Sequence, residues 1–300
     1  MSWVSTAILS TAVFGAVNII DSRLLSKRMP GLRAFLLPVG IIHLIYALAL
    51  FPLFPLPEGI DTWPLLVAVV SGILRTSSII ILLYIMKKEE VSRVVPVVYT
   101  YPIFVAIMAA PLLGETLHYL GWLAIIIVVA GAVTISAKQD STGSTIWLGK
   151  PLLFLFASSL LMAMADITSK YALDYVSFWN ILWLSEFCVS GIFILASMRP
   201  HIFRQLSNMK QRNSAMALLI FNEALALIAA VLQFWALQRG PVSLVSTIIS
   251  SRPIFVVIFA LILSRISPRF LEWQPGREAL ILRFVATAMI VGGIAIIYLI

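Results

Sequence analysis

An all-α membrane protein, built from ten transmembrane helices arranged as two inverted five-helix repeats, is what this sequence predicts. Three observations point there. Of 300 residues, 61% are hydrophobic and 11% charged, against roughly 45–50% and about 25% in soluble domains. The apolar runs are long enough for helices rather than for barrel strands. A pattern in the first half also returns in the second. So little charge cannot cover a water-soluble surface of this size, which excludes a soluble enzyme or a large folded ectodomain.

Crossing the hydrocarbon takes roughly 20 apolar residues. Ten segments satisfy this: 2–20, 34–54, 64–86, 92–111, 117–136, 147–169, 178–197, 214–236, 242–263 and 280–299. The punctuation agrees, because Met29-Pro30-Gly31, the Pro52/Pro55/Pro57 run, Pro111, Gly143 and Pro200 fall at or near segment ends, where turns form. The first run is read as a retained span rather than a cleavable signal, since it is long and no Lys or Arg precedes it.

Charge sets the expected orientation. The first, third, fifth, seventh and ninth loops hold all but four of the 21 Lys and Arg residues, with Arg23, Lys27, Arg28 and Arg33 in the first loop alone. Lys170 and Arg239 lie on the other side, and Arg75 and Arg252 lie inside spans. By the positive-inside rule the rich loops face the cytoplasm and both termini face out. The expected location is the cytoplasmic membrane of a bacterium or archaeon. Excess positive charge is assigned to orientation and anionic lipid headgroups, not to nucleic acid, for which no aromatic-basic module is present. The single cysteine, Cys188, permits no internal disulfide and no cysteine-built metal site.

An odd number of spans per half turns the halves in opposite directions. Val91-Ser92 followed by Pro102-Ile103-Phe104-Val105 reappears as Val242-Ser243 followed by Pro253-Ile254-Phe255-Val256 at a constant offset. Val129-Ala130-Gly131-Ala132 resembles Val291-Gly292-Gly293-Ile294. Together with Leu113-Gly114-Glu115 and Ser251-Arg252-Pro253-Ile254-Phe255, these residues make the chain resemble the EamA-like families of the drug/metabolite transporter superfamily over nearly its whole length. The resemblance implies two repeats, 1–140 and 141–300, and a central cavity walled by spans one to four and six to nine. Two features depart from the family. Ser264-Arg265-Ile266 stands where a second glutamate is expected, and the termini, usually cytoplasmic in the family, are placed outside by charge.

At about 1.5 Å per residue, His43, Arg75, Glu186, Glu223 and Arg252 fall near the midplane. Each charged one costs roughly 2.5–3.5 kcal/mol there. Four together approach about 10–14 kcal/mol, comparable to the whole stability of a domain. They must therefore neutralise one another or meet water or a ligand. One reading pairs Arg75 with Glu223 or Glu186, and Arg252 with the other glutamate, as structural ion pairs. The other makes Arg75 and Arg252 a fork for a carboxylate or phosphate, with Glu186, Glu223 and His43 carrying protons. Tyr99, Tyr101 and Trp235 are expected to line the solute site, and Pro102 and Pro253 to kink spans four and nine as hinges. Asp166 and Lys170, spaced i and i+4, read as a pair on a helix surface.

No Gly-rich phosphate loop and no His-Glu-x-x-His pattern occurs, so no cofactor, no metal and no enzymatic activity is expected. The resemblance and the midplane charges imply a secondary transporter of small anionic or zwitterionic organic solutes working by alternating access, coupled to protons. A flippase for lipid or lipid-linked substrates on the same scaffold is the alternative. Expected partners are the solute, membrane lipids and a second copy of the chain meeting through Gly131, Gly292 and Gly293.

Overall fold

The computed structural model describes residues 2–86, 98–136, 150–266 and 277–299, and every regular element among them is helical. In chain order these are α1 (Trp3–Arg23), which runs on through a π turn at Leu24–Arg28, then α2 (Leu32–Leu53), α3 (Thr62–Met86), α4 (Tyr101–Leu113), α5 (Tyr119–Ser136) and α6 (Lys150–Leu173). They continue with α7 (Phe178–Ser197), α8 (Pro200–Ser207), α9 (Arg212–Arg239), α10 (Val242–Ser250), α11 (Arg252–Ile266) and α12 (Arg277–Leu299). Seven segments among the described residues are long and apolar enough to cross a membrane, the seventh formed by α10 and α11 together. The remaining three expected spans fall on shorter apolar helices, Tyr101–Leu113, Tyr119–Thr134 and Phe284–Leu299.

Local chemistry sets the helix ends. Ser2 caps α1, its hydroxyl accepting from the Ser5 amide at 3.2 Å. Ser177 and Asn180 form a reciprocal capping box at the start of α7. The Asn180 side-chain amide also donates to the Phe54 carbonyl at 2.9 Å, as does the Trp183 indole at 3.1 Å, satisfying the exposed end of α2. Gly114 ends α4 at φ +68°, the left-handed conformation that favours glycine at a helix C-terminus. Helix α8, outside the ten expected segments, buries Ile202 with Ala34 and Leu37 of α2 and leaves Arg204 exposed.

Packing runs between the halves more than within them. Helix α1 lies on α9 and α3 on α6, while α2 meets α7, α4 meets α10 and α5 meets α12. Exchanging first-half and second-half spans turns the α1–α9 contact into the α3–α6 contact and returns the others to themselves. A two-repeat architecture produces that pattern. At the α5–α12 contact the backbones approach so closely that a Cβ on Gly131 would lie 2.8 Å from Ile290 and 3.0 Å from the Ala286 carbonyl. Gly293 is similarly crowded by Val128, whereas Gly292 faces open space.

Matched substitutions separate these roles. Gly131→Ala should lower thermal stability in detergent by the equivalent of about 1–3 kcal/mol through overpacking. Gly292→Ala should leave it unchanged or raise it by about 0.5–1 kcal/mol through helix propensity. Equal effects at both positions would contradict the packing.

Candidate functional site

Two buried polar clusters lie where helices of the two halves meet. The first joins α3, α6, α10 and α11. Arg75 Nη2 on α3 donates to Asp166 Oδ1 on α6 at 2.8 Å. The Ser246 hydroxyl of α10 donates to the other carboxylate oxygen, Oδ2, at 2.6 Å, and Tyr101 donates to the Ser246 carbonyl at 3.1 Å. Asp166 is fully buried. The Arg75 guanidinium also lies 5.2 Å from the centre of the Phe234 ring.

Arg252 opens α11 directly after a break in the helix at Ser251. Its guanidinium sits 4.1 Å over the Phe14 ring of α1. Among the described residues, Tyr99, Tyr101, Arg75 and Asp166 are the titratable groups that act on it electrostatically. Its Nε is buried without a hydrogen-bond partner, as is that of Arg75.

The second cluster joins α1, α2, α7 and α9. His43 of α2 stands between two glutamates, with Nδ1 bonded to Glu186 Oε2 and Nε2 3.3 Å from Glu223 Oε2. Asn222 donates through Nδ2 to Asp21 Oδ1 at 2.7 Å and, more weakly, to Glu223 Oε1 at 3.4 Å. Glu186 and Glu223 are 5% and 4% exposed, so water does little to screen them. A neutral imidazole has one N–H, yet both ring nitrogens face carboxylate oxygens. Filling both contacts takes a second proton, either on the ring or on a carboxyl group.

Several expectations are corrected here. Arg75 pairs with Asp166 and not with Glu223 or Glu186; those two glutamates share His43 instead. Asp166 and Lys170 do not form a surface pair. Lys170 Nζ instead donates to the Leu237 and Gly240 carbonyls at 2.8 and 2.9 Å, closing the end of α9. Trp235 turns toward Arg239, which stacks on it at 4.1 Å, and its neighbour Phe234 is the ring that meets Arg75. Pro102 and Pro253 do not kink continuous helices. Each sits in the first turn of a new helix, where its missing N–H leaves nothing unsatisfied. The breaks match, because Ile103 N–H donates to the Thr100 carbonyl and Ile254 N–H to that of Ser251, both at 3.1 Å.

Sequence reasoning missed Asp21, Asn222, Ser246 and Phe14, and it left Glu115 as a signature without a role. Glu115 of the first half caps α10 of the second, accepting from the Val242 amide at 2.5 Å and the Ser243 hydroxyl at 2.6 Å. With Lys170 it fixes the turn between α9 and α10 that presents Ser246. Among the described residues no group of three or more His, Cys, Asp or Glu side chains could hold a metal ion.

The EamA-like transporter family matches this chain twice, over residues 1–137 and again over 149–299. The chain belongs to that family. It is therefore a multi-pass membrane protein of the drug/metabolite transporter superfamily, and its family is one of small-solute transporters rather than enzymes. A solved crystal structure resembles this EamA-like chain with a TM-score of 0.68 at 18% identity, covering 99% of this chain and 95% of the other, which shows a shared fold. No curated protein matches it.

Removing one partner of the Arg75–Asp166 pair should cost more than removing both. Asp166→Ala leaves a buried guanidinium uncompensated and should destabilise by about 3–5 kcal/mol. The double variant Arg75→Met/Asp166→Ala should recover part of that loss in thermal unfolding. Additive losses would show that the pair is not coupled.

Proposed function

We propose that this protein is a secondary active transporter that moves a small anionic or zwitterionic organic solute by alternating access, driven by protons. The observation that carries the reading is the separation of two buried clusters, each assembled from both halves. One is rich in guanidinium and the other holds exchangeable protons between carboxylates and a histidine. Arg252, with Arg75, Tyr99 and Tyr101 around it, takes the acidic end of the solute. His43, Glu186 and Glu223 bind and release the proton, and Asp21 and Asn222 extend that hydrogen-bonded chain along α1 and α9. Trp235, on which Arg239 stacks, is not assigned a role in this reading.

Alternating access requires two states of the contacts between repeats, and inverted repeats supply them by exchanging the conformations of the halves. The breaks before Pro102 and Pro253 are the hinges of this reading. Freed backbone at these points is tolerable inside the membrane only where protein or a water-lined cavity surrounds it. In this reading the basic loops face the cytoplasm and both termini lie on the outer face of the cytoplasmic membrane.

The first test is a thermal-shift screen of amino acids, organic acids, phosphorylated metabolites and cationic drugs on purified protein, followed by liposome assays with the strongest hit. That hit should be an anion or zwitterion whose accumulation follows an imposed pH gradient. Glu223→Gln should abolish gradient-driven accumulation while leaving solute counterflow intact, because only the proton step is lost. Accumulation indifferent to pH in the wild-type protein would refute the coupling.

Orientation has its own test. A reporter that is active only outside the cytoplasm, fused after Ile300, should be active, and a cytoplasm-only reporter at the same place should be silent. The reverse result would overturn the assignment from loop charge.

A further inference from the structure

The charges around Arg252 do not cancel. Among the described residues Asp166 is the carboxylate in that neighbourhood, and both of its oxygens are engaged, one by Arg75 at 2.8 Å and the other by Ser246 at 2.6 Å. Among the described residues Arg252 forms no ion pair, and its buried Nε has no hydrogen-bond partner. The Phe14 face beneath it offers about 0.5–2 kcal/mol. Taking such an ion out of water costs several kcal/mol. The ring supports the cation without discharging it.

We propose that Arg252 is the docking group for one negative charge, so that the transported solute is a monoanion with a flat apolar body, while Arg75 is a positioning residue held by Asp166. The inference rests on the transporter reading and narrows its solute class. A dianion would need a second uncompensated cation, and Arg75 is already neutralised. A flat body fits because the Phe14 ring beneath the guanidinium keeps an aromatic surface next to the charge. Arginine suits this role better than lysine. Its planar fork bonds a carboxylate through two N–H groups while its face remains on the ring.

Four aromatic probes of one shape separate the possibilities: benzoate, phthalate, benzamide and benzylamine. Their effect on the thermal unfolding of the purified full chain in detergent reads binding without requiring transport. Benzoate should stabilise the wild-type protein saturably, phthalate should bind at least about tenfold more weakly, and the neutral and cationic probes should have no effect. Arg252→Gln should weaken benzoate by about tenfold or more, and Arg252→Lys should restore part of the loss. Asp166→Asn releases the charge of Arg75 and should shift the preference toward phthalate; if that variant does not fold, the two Arg252 variants decide.

The proposal is overturned if benzamide matches benzoate, if phthalate binds the wild-type protein as tightly, if Arg252→Gln binds benzoate unchanged, or if benzoate has no effect up to its solubility limit. Should benzoate fail while another solute is still driven by a pH gradient, the charge assignment falls and the transporter reading stands. Should benzoate bind in the expected pattern while no solute crosses liposomes, the transporter reading falls instead.

Discussion

The ion pair between Arg75 and Asp166 is the contact on which the centre of this molecule depends. A guanidinium and a carboxylate are both removed from water in the middle of apolar helices, and neither is tolerable there alone. Once they face each other, α3 and α6 can no longer slide or rotate independently. The bond therefore fixes a long helix–helix contact between the halves, and it fixes Ser246 as well, whose hydroxyl fills the second carboxylate oxygen. Tyr101 follows through the Ser246 carbonyl. One pair thus positions α10 and α4 beside α3 and α6, and Arg252 opens α11 at the next break.

What holds that break in place is found at the far end of α10. Glu115 accepts from its first amides, and Lys170 donates to the last carbonyls of α9. The two residues satisfy opposite helix ends with opposite charges, as the helix dipole favours. The turn between α9 and α10 is therefore anchored by one residue from each half. In the second half, Ser264-Arg265-Ile266 stands where the glutamate would be, so the sequence does not repeat that carboxylate. The two repeats share a fold but not the same bolts.

How much of this the sequence discloses depends on whether the cause is local or tertiary. Depth along an apolar run is local, and depth was enough to single out His43, Arg75, Glu186, Glu223 and Arg252, all of which fall in the two clusters. Their pairing is tertiary, because it depends on which helices become neighbours. Four charges that sum to zero could be matched in several ways, and the apparent balance hid the actual counter-ion. Asp166 was obscured by its i, i+4 spacing from Lys170. A signal was nevertheless present, since Leu155, Ser158, Ser159, Asp166, Ser169 and Leu173 follow one another at helical spacing and are all buried. The helix breaks could not be seen by hydropathy at all. The run through Val242–Leu263 is apolar enough overall to read as one span, and Ser250-Ser251 before Arg252-Pro253 marks the stop.

The exchange symmetry of the packing gives the two clusters a common origin. The α3–α6 and α1–α9 contacts are the same architectural contact in two copies, yet they hold different charges: a closed ion pair in one, with Arg252 of α11 beside it, and carboxylates in the other. One holds Arg75 against Asp166 with Arg252 nearby, and the other holds Asp21, Asn222 and Glu223 with His43 reaching across from α2. Were both copies cationic, a bound anion would have equivalent positions to occupy and nothing would tie its movement to a second particle. With Arg252 beside one copy and carboxylates in the other, the anion and the proton of the proposed cycle would each have their own address. A rearrangement that loosens one contact must act on its counterpart, because the same two halves make both. Divergence of charge within a repeated contact is therefore a physical route from a symmetric scaffold to coupled transport.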